Sequence, residues 1–232
     1  IVGFLDFDEQ QLGPDQRVLR HNAAAVLGEG KVLQIVHKRL LPAYRYFEDK
    51  RYFQPGREVE PIRVKAADGV VSIGVLICED LWEQGYNSSP CQLLRDKGAE
   101  YLFCINASPF VGSSPGEKDG KRFVRERIIA EQIRRHGIPI IYVNTVGVGD
   151  NGKNIIPFDG MSLAFDREGS PACVLRQFQE EQQFVDFDQG QSDAVRLPPF
   201  DREEEIYRAL VMSVRDYFEK VGIFKRVLEA IS

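Results

Sequence analysis

The chain reads as an α/β fold, and three observations predict it. Short runs rich in Val, Ile and Leu alternate with segments of helical spacing along most of its 232 residues. One run, Val70 to Ile77, is interrupted only by Ser72 and Gly74, as in a strand covered on both faces. Side-chain types that carry chemistry then recur where such runs stop: Lys38, Cys78, Ser108 and Asn144. In sheets covered by helices, chemistry gathers beyond the strand ends.

Taken in order, Ile1 to Leu5 has strand character from the first residue. Asn22 to Val36 predicts strand, turn, strand, with Gly28-Glu29-Gly30 at the turn. The loop from Leu40 to Gly56 is rich in aromatic residues, which a loop holds when it packs down or lines a pocket. The Cys78 strand follows. Ser89 caps a short helix with Pro90 in its first position, and Gly98 stops it. Tyr101 to Ile105 is the next strand and delivers Asn106 to Phe110. After a polar loop, Lys121 to His136 predicts a helix whose apolar face is Val124, Ile128, Ile129 and Ile133. Ile138 to Val143 is a strand, and Gly147 to Gly152 is a glycine-rich loop without the Gly-Lys-Ser/Thr of a phosphate cradle. Phe158 to Asp166, Cys173 to Phe178 and Gln182 to Asp186 have strand character. Leu197-Pro198-Pro199 reads as a linker. Asp201 then caps a helix whose apolar residues are Ile206, Leu210, Val214, Tyr217 and Val221, and Phe224 to Ile231 starts something new.

Composition narrows the function. Hydrophobic residues are 43% and charged residues 28%, ordinary for a globular protein. A formal net charge of -5, with no dense Lys/Arg block, argues against nucleic acid and anionic membranes as partners. No apolar stretch approaches the ~20 residues of a membrane helix. Four scattered cysteines (Cys78, Cys91, Cys104, Cys173) contain no C-x-x-C pair and point to a reducing cytoplasm. Three histidines without ligand-like spacing leave no expected metal site.

Cys78 has two readings from the residues alone. Strand-ending cysteines commonly only pack. A reactive thiolate beside Glu79 and Asp80 would need a nearby cation or base, since both neighbours disfavour its charge. Lys38, at another strand end, is the candidate cation.

The pairing of Lys38 with Cys78 resembles the nitrilase superfamily, which uses a Glu-Lys-Cys triad. Ile77-Cys78-Glu79-Asp80-Leu81-Trp82 is similar to the nucleophile motif of the glutaminase domain of glutamine-dependent NAD synthetases. So, in the same order, are Lys38-Arg39-Leu40-Leu41-Pro42-Ala43-Tyr44, Lys50-Arg51-Tyr52-Phe53, Asn106-Ala107-Ser108-Pro109-Phe110, Tyr142-Val143-Asn144 and Phe158-Asp159-Gly160-Met161-Ser162. Glu204 to Leu210 resembles the helix joining that domain to its synthetase partner. The resemblance implies an α-β-β-α sandwich with its N-terminal part missing. It implies a carbon-nitrogen hydrolase (glutaminase) domain over 1-190, then a linker helix and the start of a synthetase domain over 191-232.

The implied activity is hydrolysis of glutamine, supplying ammonia for ATP-dependent amidation of nicotinic acid adenine dinucleotide to NAD in the cytoplasm. Cys78 is the implied nucleophile and Lys38 the oxyanion partner. Tyr44, Ser108 and Lys121, the last heading a Gly-Lys-x-x-x-Arg segment, are the implied glutamine contacts. No cofactor is implied for the glutaminase half, whereas ATP and Mg belong to the synthetase half. The implied partners are glutamine, that synthetase domain and further copies of the chain.

The departures from the family pattern shape further expectations. The family's catalytic Glu would precede Ile1, and neither Glu9 nor Glu29 has its surrounding motif; the synthetase's Ser-Gly-Gly motif would begin near Ser232. The chain is therefore expected to be a middle piece, negligibly active alone. Insertions fall over 112-119 and 148-157, and Ala43 replaces a common Asn. Two other readings remain at this point: a freestanding amidase or carbamoylase of the same superfamily, and a non-catalytic fragment.

Overall fold

The computed structural model describes residues 1–13, 16–44, 47–67, 69–113, 120–152, 154–187 and 201–222. The expected linker around Leu197, the segment after Gly222, most of the 112-119 insertion and the boundary at 190/191 lie outside them.

Two sheets and two helices form the body. A six-stranded mixed sheet has the order β11-β10-β7-β6-β5-β4. Its members are β4 (Ile62–Ala66), β5 (Gly69–Ile77), β6 (Tyr101–Asn106), β7 (Ile140–Asn144), β10 (Leu163–Phe165) and β11 (Pro171–Val174). The central strands β5, β6 and β7 are parallel, and β6 and β7 run in a register that places Asn106 opposite Asn144. A three-stranded antiparallel sheet holds β1 (Val2–Leu12), β2 (Val18–Gly28) and β3 (Lys31–His37). Its β2–β3 turn is two residues, Glu29 and Gly30, both at positive φ, which matches the right-handed twist of the flanking strands.

Helices cover one face of the large sheet. α2 (Pro90–Asp96) and α3 (Lys121–His136) bury Cys91, Leu94, Ile129 and Ile133 against Leu76, Leu102, Ile140 and Leu163. The α2 start is as expected: the Ser89 side chain accepts from the Gln92 N–H, and Pro90 follows. α3 buries Ile129 and Ile133 of its apolar stripe, with Val124 and Ile128 half-buried, but also Arg122, Arg125, Gln132 and His136, so most of its fully buried residues are polar. On the other face of the large sheet, Val75, Ile77 and Ile105 meet Ala24, Val26 and Val36 of the small sheet. The layers are thus helix, sheet, sheet. The far face of the small sheet carries Val2, Phe4 and Ile35, all exposed.

Three expectations are corrected. Gln182 to Asp186 is not a strand; it runs alongside without a ladder partner among the described residues. The expected glycine-rich loop is a hairpin, β8 (Val146–Asp150) with β9 (Ile155–Asp159). Its glycines fit there because Gly147, at φ 109, sits where a Cβ would meet the Asp216 carboxylate at 2.6 Å. α4 (Arg202–Val221) is capped by Asp201 as expected, but it faces the other way: Glu205, Ala209 and Met212 are buried, whereas Leu210 and Val214 are exposed. The helix packs on Phe178, Phe110 and Val146, and Asp216 and Lys220 grip the backbone N–H and C=O of Val148. No helix among the described residues is long and apolar enough to cross a membrane.

Candidate active site

β5 ends at Ile77, and the chain turns at once into a single 3-10 turn, Cys78–Leu81. Cys78 starts it with φ 49, a left-handed conformation that a non-glycine residue rarely holds. The turn stops the strand, lifts the thiol off the sheet edge and sends the next two carboxylates in different directions. Glu79 and Asp80 are both buried, at 5% and 3% exposure.

Glu79 faces a cleft of about 450 Å³ lined also by Tyr44, Lys50, Trp82, Tyr86, Gln132 and Arg135. It accepts from the Tyr44 hydroxyl at 2.9 and 3.1 Å and from the Tyr86 hydroxyl at 2.9 Å. Burial and the Glu79 charge raise the Tyr44 phenol, and the same causes raise Tyr86, so both remain donors. Asp80 turns inward. One of its oxygens accepts from the N–H groups of Arg39 (3.0 Å) and Leu40 (2.7 Å), the other from the N–H of Ile77 (3.1 Å). Burial pushes its carboxyl up to about 6, against those three hydrogen bonds and the Lys38 charge.

Lys38 follows β3 and is 4% exposed. Its Nζ donates to Asp49 Oδ2 at 2.6 Å; Asp49 opens α1 (Asp49–Tyr52), the one helical turn within the aromatic loop. Burial alone would lower the ammonium, but Cys78 and Asp49 outweigh it and the net direction is up. The Cys78 thiol is pushed up by burial, pulled down by Lys38 and pushed up again by Glu79, and its net direction is also up. The Lys38 charge is thus the largest influence that favours the thiolate against burial.

The neighbouring strand ends complete the site. Ser108, after β6, is 2% exposed. Its N–H donates to Asn144 Oδ1 (2.9 Å), and its carbonyl accepts from Asn144 Nδ2 (3.1 Å) and Arg125 Nη2 (2.9 Å). Arg125 pairs with Asp159 through two 2.8 Å contacts in a fully enclosed position. The Arg of the Gly-Lys-x-x-x-Arg segment therefore lies behind the site. Lys121, at the start of α3, donates to the Pro109 carbonyl at 3.1 Å and lowers the Cys78 thiol electrostatically. The structure thus gathers Lys38, Cys78, Ser108 and Lys121 at one end of the large sheet, with Tyr44 half-exposed on the cleft wall. Sequence reasoning missed Asp49 and the inward role of Asp80, and it treated Glu79 only as an unfavourable neighbour. The available signal was the flanking Tyr44 and Tyr86, whose hydroxyls can hold a buried carboxylate.

The carbon-nitrogen hydrolase model covers residues 1–197. The chain belongs to the carbon-nitrogen hydrolase family. Among relatives of this carbon-nitrogen hydrolase, the glutamine-dependent NAD(+) synthetase of Synechocystis sp. is 33% identical over 219 residues, which are 89% of this chain and 36% of that protein. The glutamine-dependent NAD(+) synthetase of Rhodobacter capsulatus is 33% identical over 218 residues, 91% of this chain and 36% of that protein. The chain thus spans about a third of the length of the curated relatives it matches. The structure of glutamine-dependent NAD+ synthetase from Acinetobacter baumannii superposes with a TM-score of 0.74 at 30% identity, over 95% of this chain and 38% of that one. A carbon-nitrogen hydrolase from Helicobacter pylori shares the fold, with a TM-score of 0.63 at 24% identity over 97% of this chain and 71% of that one.

Proposed function

We propose that this domain hydrolyses the side-chain amide of glutamine through a Cys78 thioester and supplies the ammonia to a synthetase domain that makes NAD. The observation that carries the reading is the pairing of two charges around one thiol. Lys38 is buried and its charge favours the Cys78 thiolate, and Glu79 is a buried carboxylate held by two phenols at the cleft wall. Among the described residues this carboxylate is held by hydroxyls, which suits an ammonium ligand, and glutamine carries one at the end of the molecule away from its amide.

In the proposed chemistry the Cys78 sulfur attacks the amide carbon, and the carbonyl oxygen becomes an oxyanion beside the Lys38 ammonium and the Glu79 N–H. Collapse of the tetrahedral intermediate breaks the C–N bond, the nitrogen takes the proton that the thiol gave up and leaves as ammonia, and a thioester remains. Water then attacks the thioester, giving glutamate and the free thiol. Tyr44 and Glu79 would hold the α-amino group, and Ser108 and Lys121 would orient the other end of the substrate. The carboxylates acting most on the thiol are Glu79, tied to two phenols, and Asp49, tied to Lys38. Neither is free to take the thiol proton, which supports slow turnover by this chain alone.

ATP and Mg would serve the synthetase half. Among the described residues there is no group of three or more His, Cys, Asp or Glu that could hold a metal, and no step here runs through one. Exposed Phe4 and Leu210 support association between copies, and the four free cysteines support a reducing, cytoplasmic setting.

The test is intact-protein mass after incubation with a diazo-keto norleucine, beside Cys78→Ala. One adduct, absent in the variant and blocked by excess glutamine, is expected. An adduct that glutamine does not block would favour a different amide and overturn glutamine as the substrate.

A further inference from the structure

We infer that Asp80 is a positioning residue: its carboxylate ties the strand end that carries Lys38 to the turn that carries Cys78, and so sets the distance between cation and thiol. The inference rests on the Cys78 reading above and extends it to a residue that touches neither substrate nor thiol.

The geometry is a two-sided clamp. One Asp80 oxygen receives both Arg39 and Leu40, the two residues following Lys38. The other receives Ile77, the residue preceding Cys78. Lys38 comes from the small sheet and Cys78 from the large one, and among the described residues no ladder hydrogen bond joins those sheets. Asp80 therefore bridges two segments whose register the sheets themselves do not fix. The N–H groups at the end of β3 and the end of β5 would otherwise be buried orphans at this joint, which is costly. The carboxylate is 3% exposed, with its bonds to rigid backbone rather than to mobile side chains, so a shift of either segment must stretch the clamp. A neutral amide at this position can receive Arg39 and Leu40 but presents N–H to the N–H of Ile77, severing one side of the clamp with little change in shape.

The experiment measures the pH dependence of Cys78 alkylation by iodoacetamide in the wild-type chain and in Asp80→Asn, with cooperative melting recorded on both. Three effects have different signs. If the clamp sets the distance, its loss lets Lys38 draw away and the alkylation midpoint rises, by about one pH unit, with roughly tenfold slower labelling at pH 7. If Asp80 acts only as a nearby anion, its neutralisation lowers the midpoint. If it only supports the fold, the melt falls and the midpoint stays. The first result is expected, and either of the others overturns the inference. Should Asp80→Asn fail to fold, hydrogen exchange of the wild type decides instead. The Arg39, Leu40 and Ile77 amides should be protected together, as one opening unit. Rapid exchange of Arg39 and Leu40 while Ile77 stays protected overturns the clamp. Iodoacetamide reads the thiol and not the substrate. A wild type that alkylates but ignores the norleucine electrophile would defeat the glutamine reading and leave the Asp80 result standing.

Discussion

The two sheets of this domain are built to different standards. The six-stranded sheet is covered on both faces, by Leu94, Ile129 and Ile133 on one side and by Ala24 and Val26 on the other. The three-stranded sheet is covered on one face only and leaves Val2, Phe4 and Ile35 in water. Cys78, Ser108 and Asn144 belong to the well-covered sheet, whereas Lys38 arrives from the other. The proposed chemistry therefore depends on a joint between a rigid support and a sparsely packed one. The hydrogen bonds that hold that joint are Lys38 to Asp49, and Asp80 to both sides.

Breaking the rigid side should have the largest effect. Arg125→Leu leaves the buried Asp159 carboxylate without its Arg partner and removes one of the two side-chain donors to the Ser108 carbonyl, leaving Asn144. A loss of about 3–5 kcal/mol in unfolding free energy is expected from chemical denaturation. A loss below about 1 kcal/mol would mean that the Arg125–Asp159 pair does not support the Ser108 loop as described.

The joint comes next, and its pH dependence has a definite sign. The Asp80 carboxyl is held near 6 in the folded chain, above its ordinary value of 3.8. A folded pKa raised in this way favours the folded state at low pH, and that advantage is lost as pH rises through about 6. The stability of the wild type relative to Asp80→Asn should therefore fall by up to about 3 kcal/mol between pH 4 and pH 6.5. Denaturation curves at several pH values measure it, and a difference that grows with pH would contradict the burial of this group.

On the exposed face the expected effect is the smallest. Phe4→Ser should change stability by no more than about 0.5 kcal/mol, while reducing self-association seen by sedimentation. A loss of several kcal/mol would show that the far face of the small sheet is covered after all.

How much of this was legible follows from particular residues. The strand into Cys78 was legible because Val70 to Ile77 is an apolar run that stops at a nucleophile and two acids; its Ile73 to Ile77 end is buried as expected, whereas Val70 is exposed. Lys38 was legible for the same reason. The diverging roles of Glu79 and Asp80 were not, since adjacent acids look alike until the positive φ of Cys78 starts a tight turn. Nor was the buried face of α4. Apolar residues occupy both sides of that helix, and the choice of Ala209 and Met212 over Leu210 and Val214 was made by contact with Phe178. Periodicity registers an apolar stripe but not the surface that will meet it. The segment Gln182 to Asp186 has strand composition, yet a strand also needs a neighbour to pair with, which composition does not report.

The measurement that bears most directly on the central claim is the pH profile of Cys78 alkylation in the wild type and in Lys38→Met. If the lysine of the sparsely packed sheet stabilises the thiolate of the well-packed one, the midpoint rises in Lys38→Met and labelling at pH 7 slows by roughly 10–100-fold. An unchanged midpoint in a folded variant would mean that Lys38 does not act on Cys78, and the account of the site would be wrong.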